Sequence, residues 1–366
     1  MKPRTIRKPL LAATRRRRAL HGPVVAAGLF AAAAFPSSAH PASATQAFER
    51  SVIFADLAPH EGTDGAYVET WTYEFYLDGG LQLSVRLSRA DVGSLKDDVA
   101  GADLSIDGFG GRSYRVVREY PIENFTISAE TREIRVHQSI FAKGDLGQTH
   151  RLHFETSKND ISYVIDLTLS DIVPGLWPGD AANCTGREDC ISVVIHIPYA
   201  KVDGTVSVNG DERAVSGTAY MDQLFVAARI PKLVCCGLRY VAHGRDWEVG
   251  YLLLAASQAP TDVIGYGLRS AGNGIEPSLP QSFTILSQSK SDGVKLADRM
   301  EVAYLPERRL HLERTRIVGR ASTFDDVRGW LKPFARGFLG GEVLFIRATG
   351  TIDGSRPAFF HYLAVR

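Results

Sequence analysis

The chain is short of cysteine, short of helical periodicity and without a surplus of either charge. Of its 366 residues four are cysteine and three methionine, and 42 Lys and Arg offset 41 Asp and Glu. A net charge of +1 leaves no basic stripe for following a phosphate backbone, so no nucleic-acid partner is expected. Beyond the first 44 residues no segment reaches the ~18 consecutive apolar residues that read as a membrane-spanning helix, so no stable membrane span is expected. The common catalytic signatures are missing as well. There is no G-x-S-x-G elbow, no H-E-x-x-H, no Walker loop and no G-x-G-x-x-G after a strand. His150 and His153, in QTHRLHF, stand three apart on a strand and point to opposite sides, so they do not suggest a shared metal. Neither a metal nor a cofactor is implied.

The basic residues that do cluster lie at the N-terminus and read as an export signal. Arg15 to Arg18 form a basic region, Pro23 to Phe35 an apolar run too short to span a bilayer, and Ala42-Ser43-Ala44 a small-x-small cleavage site. Arg17-Arg18 resembles a loose twin-arginine signal. The expectation is an exported protein, periplasmic or secreted, with residues 1–44 removed; an organelle transit peptide or a retained anchor is the alternative. The cysteines fit that compartment, being even in number. Cys184 and Cys190 bracket the polar stretch NCTGREDC and could close it. Cys235 and Cys236 are adjacent in the apolar run LVCCGLRYV, which as a strand would point them to opposite faces. A bridge between the loop and this pair is a second option.

Nearly every periodic segment has period two. Residues 70–90 alternate Trp71, Tyr73 and Phe75 with polar neighbours, turn at Asp78-Gly79-Gly80, and alternate again through Leu81, Leu83, Val85 and Leu87. Similar runs follow to the C-terminus, separated by Gly- and Asn-rich turns. Their density predicts an all-β chain of antiparallel barrels or sandwiches. One short helix is expected within 321–340, capped by Thr323 and ended by Pro333. Loops are expected at 174–189, carrying Trp177, and at 270–281. Length supports two β domains in tandem, 45–212 and 213–366; one large barrel is the alternative.

Residues 204–225, GTVSVNGDERAVSGTAYMDQLF, are the most distinctive stretch. Two alternating strands flank an Asn-Gly turn, and the second presents Tyr220 and Asp222 as same-face neighbours. Shortly after come Arg239, Tyr240, His243, Asp246 and Trp247, near the apolar strand Tyr251 to Leu254. An apolar wall with a few polar groups is the usual form of a small-molecule site. These seven residues are the candidate ligand contacts.

The same stretch resembles the lipocalin-like superfamily of hydroxyneurosporene synthase (carotenoid 1,2-hydratase), the AttH-like proteins and the fungal oxidative-stress survival factors. Gly204, Val206, Val208 and Gly210 match a G-x-V-x-V-x-G hairpin, and Gly217, Tyr220 and Asp222 match the G-x-x-Y-x-D that follows it. The aromatic-rich segment 69–88 is a counterpart of the survival factors' opening. The enzymes place His after the Tyr and Trp-Gly after the Asp, whereas this chain has Met221 and Gln223-Leu224. The resemblance implies two calycin-like domains and a hydrophobic small-molecule ligand, lipid or isoprenoid-like, held in a β-barrel cavity. The alternative it implies is a hydratase, isomerase or cyclase on an apolar polyene, with Asp222 as general acid and Tyr220 orienting it. A third reading is an envelope protein whose barrels are filled by their own side chains.

Overall fold

In the computed structural model the described residues are 48, 50–60, 66–91, 98–182, 184, 189–257, 259, 261–272, 274–291, 293–325 and 340–366. The expected signal segment, and residues 326–339 of the expected C-terminal helix, lie outside them. Residues 45–366 form one compact unit.

Among the described residues, twenty strands build it. The first eleven are β1 (Tyr67–Leu77), β2 (Gln82–Asp91), β3 (Val99–Phe109), β4 (Arg112–Pro121), β5 (Thr126–Ser128), β6 (Glu133–His137), β7 (Ile140–Gly144), β8 (His150–Lys158), β9 (Ile161–Val173), β10 (Ile191–Val208) and β11 (Asp211–Val226). The rest are β12 (Val234–Ala242), β13 (Glu248–Ala255), β14 (Val263–Ala271), β15 (Gly274–Ser278), β16 (Pro280–Ser291), β17 (Val294–Tyr304), β18 (Arg308–Ser322), β19 (Val343–Ile352) and β20 (Arg356–Val365). They form two antiparallel sheets, ordered β4-β3-β2-β1-β11-β10-β9-β8-β7-β6-β5 and β15-β14-β13-β12-β20-β19-β18-β17-β16, one of them curled into a half-barrel. The all-β, two-sheet architecture is the one expected. The sheets divide after Val226 and not at 212, because β11 inserts between β1 and β10 of the first sheet. Residues 274–278, expected as loop, pair with β14 as an edge strand.

Alternation explains where each core sits. In β1 the inward positions are Trp71, Tyr73 and Phe75; they join Leu83, Val85 and Leu87 of β2 and Ile165, Leu167 and Leu169 of β9 in the core of the first sheet. Burying such side chains contributes about 25 cal/mol per Å² of apolar surface, which is what holds so long a sheet curled. The second sheet has its own core around Tyr240, Leu252, Met300 and Phe360. A third cluster, including Tyr76, Tyr220, Leu224, Val241, Val249, Tyr251 and Leu253, joins the outer face of β1, β10 and β11 to the outer face of β12, β13 and β14. The central strands are thus buried on both faces: every residue of β1 from Trp71 to Leu77 is buried.

The β10–β11 hairpin turns at Asn209 and Gly210, both with positive φ (53° and 78°), as a type I′ turn demands. Its other motif glycines answer to close packing. A Cβ on Gly204 would fall 2.0 Å from the Asp166 carbonyl oxygen, and one on Gly217 2.3 Å from that of Tyr76. The cysteines resolve into one disulfide and one thiol pair. Cys184 and Cys190 are bridged, with Cα atoms 5.7 Å apart. Cys235 and Cys236 are free and their Sγ atoms lie 2.9 Å apart. The expected opposition of the two side chains fails because the β12–β13 register shifts between Val234 and Cys236, a bulge that breaks the alternation.

Candidate active site between the sheets

Tyr220 and Asp222 are delivered to the seam between the sheets and not to the inside of a barrel. On the first sheet β3, β2, β1 and β11 run side by side, and their register aligns two rungs. One is Ser105, Ser84, Glu74 and Tyr220; the next is Asp103, Arg86, Thr72 and Asp222. On the second sheet the register of β13, β12, β20 and β19 aligns Tyr251, Arg239, His361 and Arg347. The rungs of the two sheets enclose a cavity of about 240 Å³. Glu74, Arg86, Arg239, Tyr251, Arg347 and His361 line it, and Leu224, Leu253, Phe345 and Leu363 add apolar wall. Thr70, Thr72, Ser84, Ser88 and Ser105 also face it, so the first sheet presents hydroxyls where the second presents largely apolar and aromatic surface. A wider space of about 880 Å³ adjoins it, sharing Val68, Ile230 and Thr323.

One guanidinium holds this site together. Arg239 donates from Nη1 to Glu74 Oε1 at 2.6 Å and from Nη2 to Asp222 Oδ1 at 3.2 Å; its Nε lies 2.6 Å from Asp222 Oδ2, off the line of a hydrogen bond. It also lies against the rings of Tyr220 and Tyr251, at 5.4 and 5.1 Å. Two buried carboxylates therefore share one cation. Burial pushes both carboxyls above the usual range, against the pull of Arg239. Glu74 accepts a further bond from Ser84 Oγ at 3.0 Å and lies 3.4 Å from His361 Nδ1. His361 Nε2 is 3.1 Å from the Tyr76 hydroxyl. Burial, reinforced by Arg239, Arg347 and Arg86, holds His361 far below the usual imidazole range and so neutral. A carboxyl that can keep its proton, beside a neutral imidazole at the wall of a cavity, is the constellation of acid–base chemistry.

The seven sequence candidates divide. Arg239 lines the cavity. Asp222 and Tyr220 are fully buried one layer behind it, Asp222 as the second partner of Arg239 and Tyr220 with its hydroxyl leaning toward Asp222 without an aligned hydrogen bond. The other four do not reach it. Tyr240 points the opposite way, because it neighbours Arg239 on a strand, and bonds the Tyr304 hydroxyl at 2.8 Å in the second core. His243 is held by Thr218 Oγ1 at 2.8 Å and the Pro198 carbonyl at 3.0 Å. Asp246 is exposed in a turn, and Trp247 is packed into the seam. His150 is a core histidine, 3.0 Å from the Tyr73 hydroxyl. Trp177 packs beneath Arg50 beside the first core and is not at the cavity. Sequence reasoning missed Glu74, Arg86, Arg347 and His361. A carboxylate inside the aromatic run TWTYEFYL was the one local sign of the first.

Solved structures share this fold. An AttH candidate from Nitrosomonas europaea aligns with a TM-score of 0.57 at 13% identity, over 83% of this chain and 94% of that one. This chain has the lipocalin-like fold of the AttH type. CghA, solved with Sch210972, aligns with a TM-score of 0.53 at 15% identity, over 82% of this chain and 88% of its own. No protein-family model and no curated protein matches the sequence. Among the described residues no helix is long and apolar enough to cross a membrane, and no cluster of three or more His, Cys, Asp or Glu could hold a metal ion.

Proposed function

We propose that the protein is an enzyme that starts an addition, isomerisation or cyclisation at a carbon–carbon double bond of a largely apolar small molecule, in the cavity between its sheets. The observation that carries this is Glu74: a buried carboxyl at the cavity wall that shares its one arginine with Asp222. Burial is the main cause that pushes the Glu74 carboxyl up, against the pull of Arg239 and Arg347; Asp222, the acid the sequence suggested, stands behind Arg239 and adds to that push. Protonation of the alkene by Glu74 leaves a carbocation. Water then adds to it and gives its proton to His361 or back to Glu74; otherwise the cation, directly or after closing a ring, loses a proton from carbon to Glu74 or His361. The apolar wall of Leu253, Phe345 and Leu363 holds the hydrocarbon, and the hydroxyl-rich wall leaves room for water. The lipocalin-like neighbours agree with a small-molecule site in this fold. The disulfide agrees with an exported protein, since such bridges persist in oxidising compartments.

Incubation with isoprenoid alkenes in D₂O tests this. One carbon-bound deuterium per turnover is expected with the unaltered protein, and a loss of at least 100-fold in Glu74→Gln. Equal incorporation by that variant would remove Glu74 from the chemistry. A second reading, a carrier that holds such a molecule unchanged, rests on the apolar wall alone; it requires apolar molecules to bind equally well to both proteins with no label entering either.

A further inference from the structure

Arg86 occupies the middle of a charged rung, yet none of the described residues pairs with it. Asp103 stands directly opposite on β3, and Asp222 lies two strands away on β11. Both are engaged elsewhere. Arg115 holds Asp103, with Nη2 3.0 Å from Oδ2, and Arg239 holds Asp222. Arg347, also in the wall, is 2.7 Å from Asp107. Arg86 has neither an ion pair nor a hydrogen bond among the described residues. It lies over the Phe345 ring at 4.4 Å, partly exposed in the cavity wall. The donors of a guanidinium lie in one plane, the geometry that grips a carboxylate bidentately.

We infer that the ligand of this site carries a carboxylate-type planar oxyanion, which Arg86 binds while the apolar part lies along Phe345, Leu253 and Leu363. This rests on the cavity between the sheets being the binding site. It places an acidic group on one edge of the molecule and the reacting double bond nearer Glu74.

The test uses three probes of one shape on the full-length protein: 1-naphthaleneacetate, its uncharged primary amide, and 1-(2-aminoethyl)naphthalene as the cation. Binding is read by calorimetry or tryptophan fluorescence. The acid should bind at least tenfold tighter than the amide and more than tenfold tighter than the amine. That preference should shrink to under threefold in Arg86→Met, with the acid losing far more affinity than the amide. If Arg86→Met does not fold, Arg86→Gln replaces it, and the acid-to-amide ratio of the unaltered protein still decides whether the ligand is an anion. Equal binding of acid and amide overturns the anion inference and leaves the cavity standing. A preference that survives removal of Arg86 assigns it to another cation and overturns the role of Arg86. Binding of none of the three by folded protein overturns both.

Discussion

Arg239 is the residue on which the site turns, and its worth is best gauged by what its removal leaves behind. Two carboxylates, Glu74 and Asp222, would face each other in a region from which water is excluded. Breaking a buried ion pair in this way typically costs about 3–5 kcal/mol, since the stranded charges lose their partner without regaining water. Arg239→Met should therefore lower stability by that amount in urea denaturation at pH 8. The deficit should narrow as pH falls, because protonating the stranded carboxyls removes the charge that costs. A deficit that stays constant down to pH 5 would mean that lost packing of the guanidinium against Tyr220 and Tyr251 dominates instead.

At the scale of strands the informative feature is close approach. Gly217 sits where β11 passes β1 so tightly that a methyl group would meet backbone and not a yielding side chain. Gly217→Ala should destabilise by about 1–3 kcal/mol, as overpacking does, and should disturb Tyr220 and Asp222 three and five residues on. Thermal melting checks the first; a weaker response of the site's tyrosines in near-UV circular dichroism checks the second. The strands themselves were legible in the sequence because period-two alternation with turn glycines has few other causes. What alternation does not convey is what each face meets. In TWTYEFYL the odd positions announced a core and the even positions looked like a wet face, yet Thr72, Glu74 and Tyr76 are buried against a second sheet. Tyr220 and Asp222 were found because a motif marked them. Glu74, His361 and Arg347 were not, since Glu74 meets the other two only where one sheet packs on the other, and Glu74 and His361 are 287 residues apart in sequence numbering. The bulge at Cys235 was equally invisible, because one extra residue in a strand leaves no compositional trace.

For the molecule as a whole the clearest solution behaviour should be sensitivity to acid. Burial holds His150, His196 and His243 down to about 4, against an ordinary 6.5. The unfolded chain takes up those protons first as pH falls, so the stability they confer is complete above about 6.5 and is lost on the way down to about 4. Each should add about 1.4 kcal/mol per pH unit to the slope across that window. Denaturation midpoints measured from pH 7 to pH 4.5 should fall steeply, and His243→Asn should flatten the curve by one such increment. An acid limb of unchanged slope in that variant would show the histidine already protonated in the folded protein. His60 runs the other way: the Glu69 carboxylate 2.7 Å from its Nδ1 helps to raise that imidazole, so the share of His60 is present at low pH and is lost as pH rises.

The ladder of Tyr251, Arg239, His361 and Arg347 draws one group from each of four neighbouring strands, and the facing sheet is arranged in the same manner. Because backbone pairing fixes those heights independently of what the side chains are, single exchanges at grid positions such as Thr72, Ser84 or Phe345 can rewrite chemical preference while the scaffold stays put. Descent with new substrates would then need few steps, and divergence should gather on alternate residues of these strands and spare the ones between.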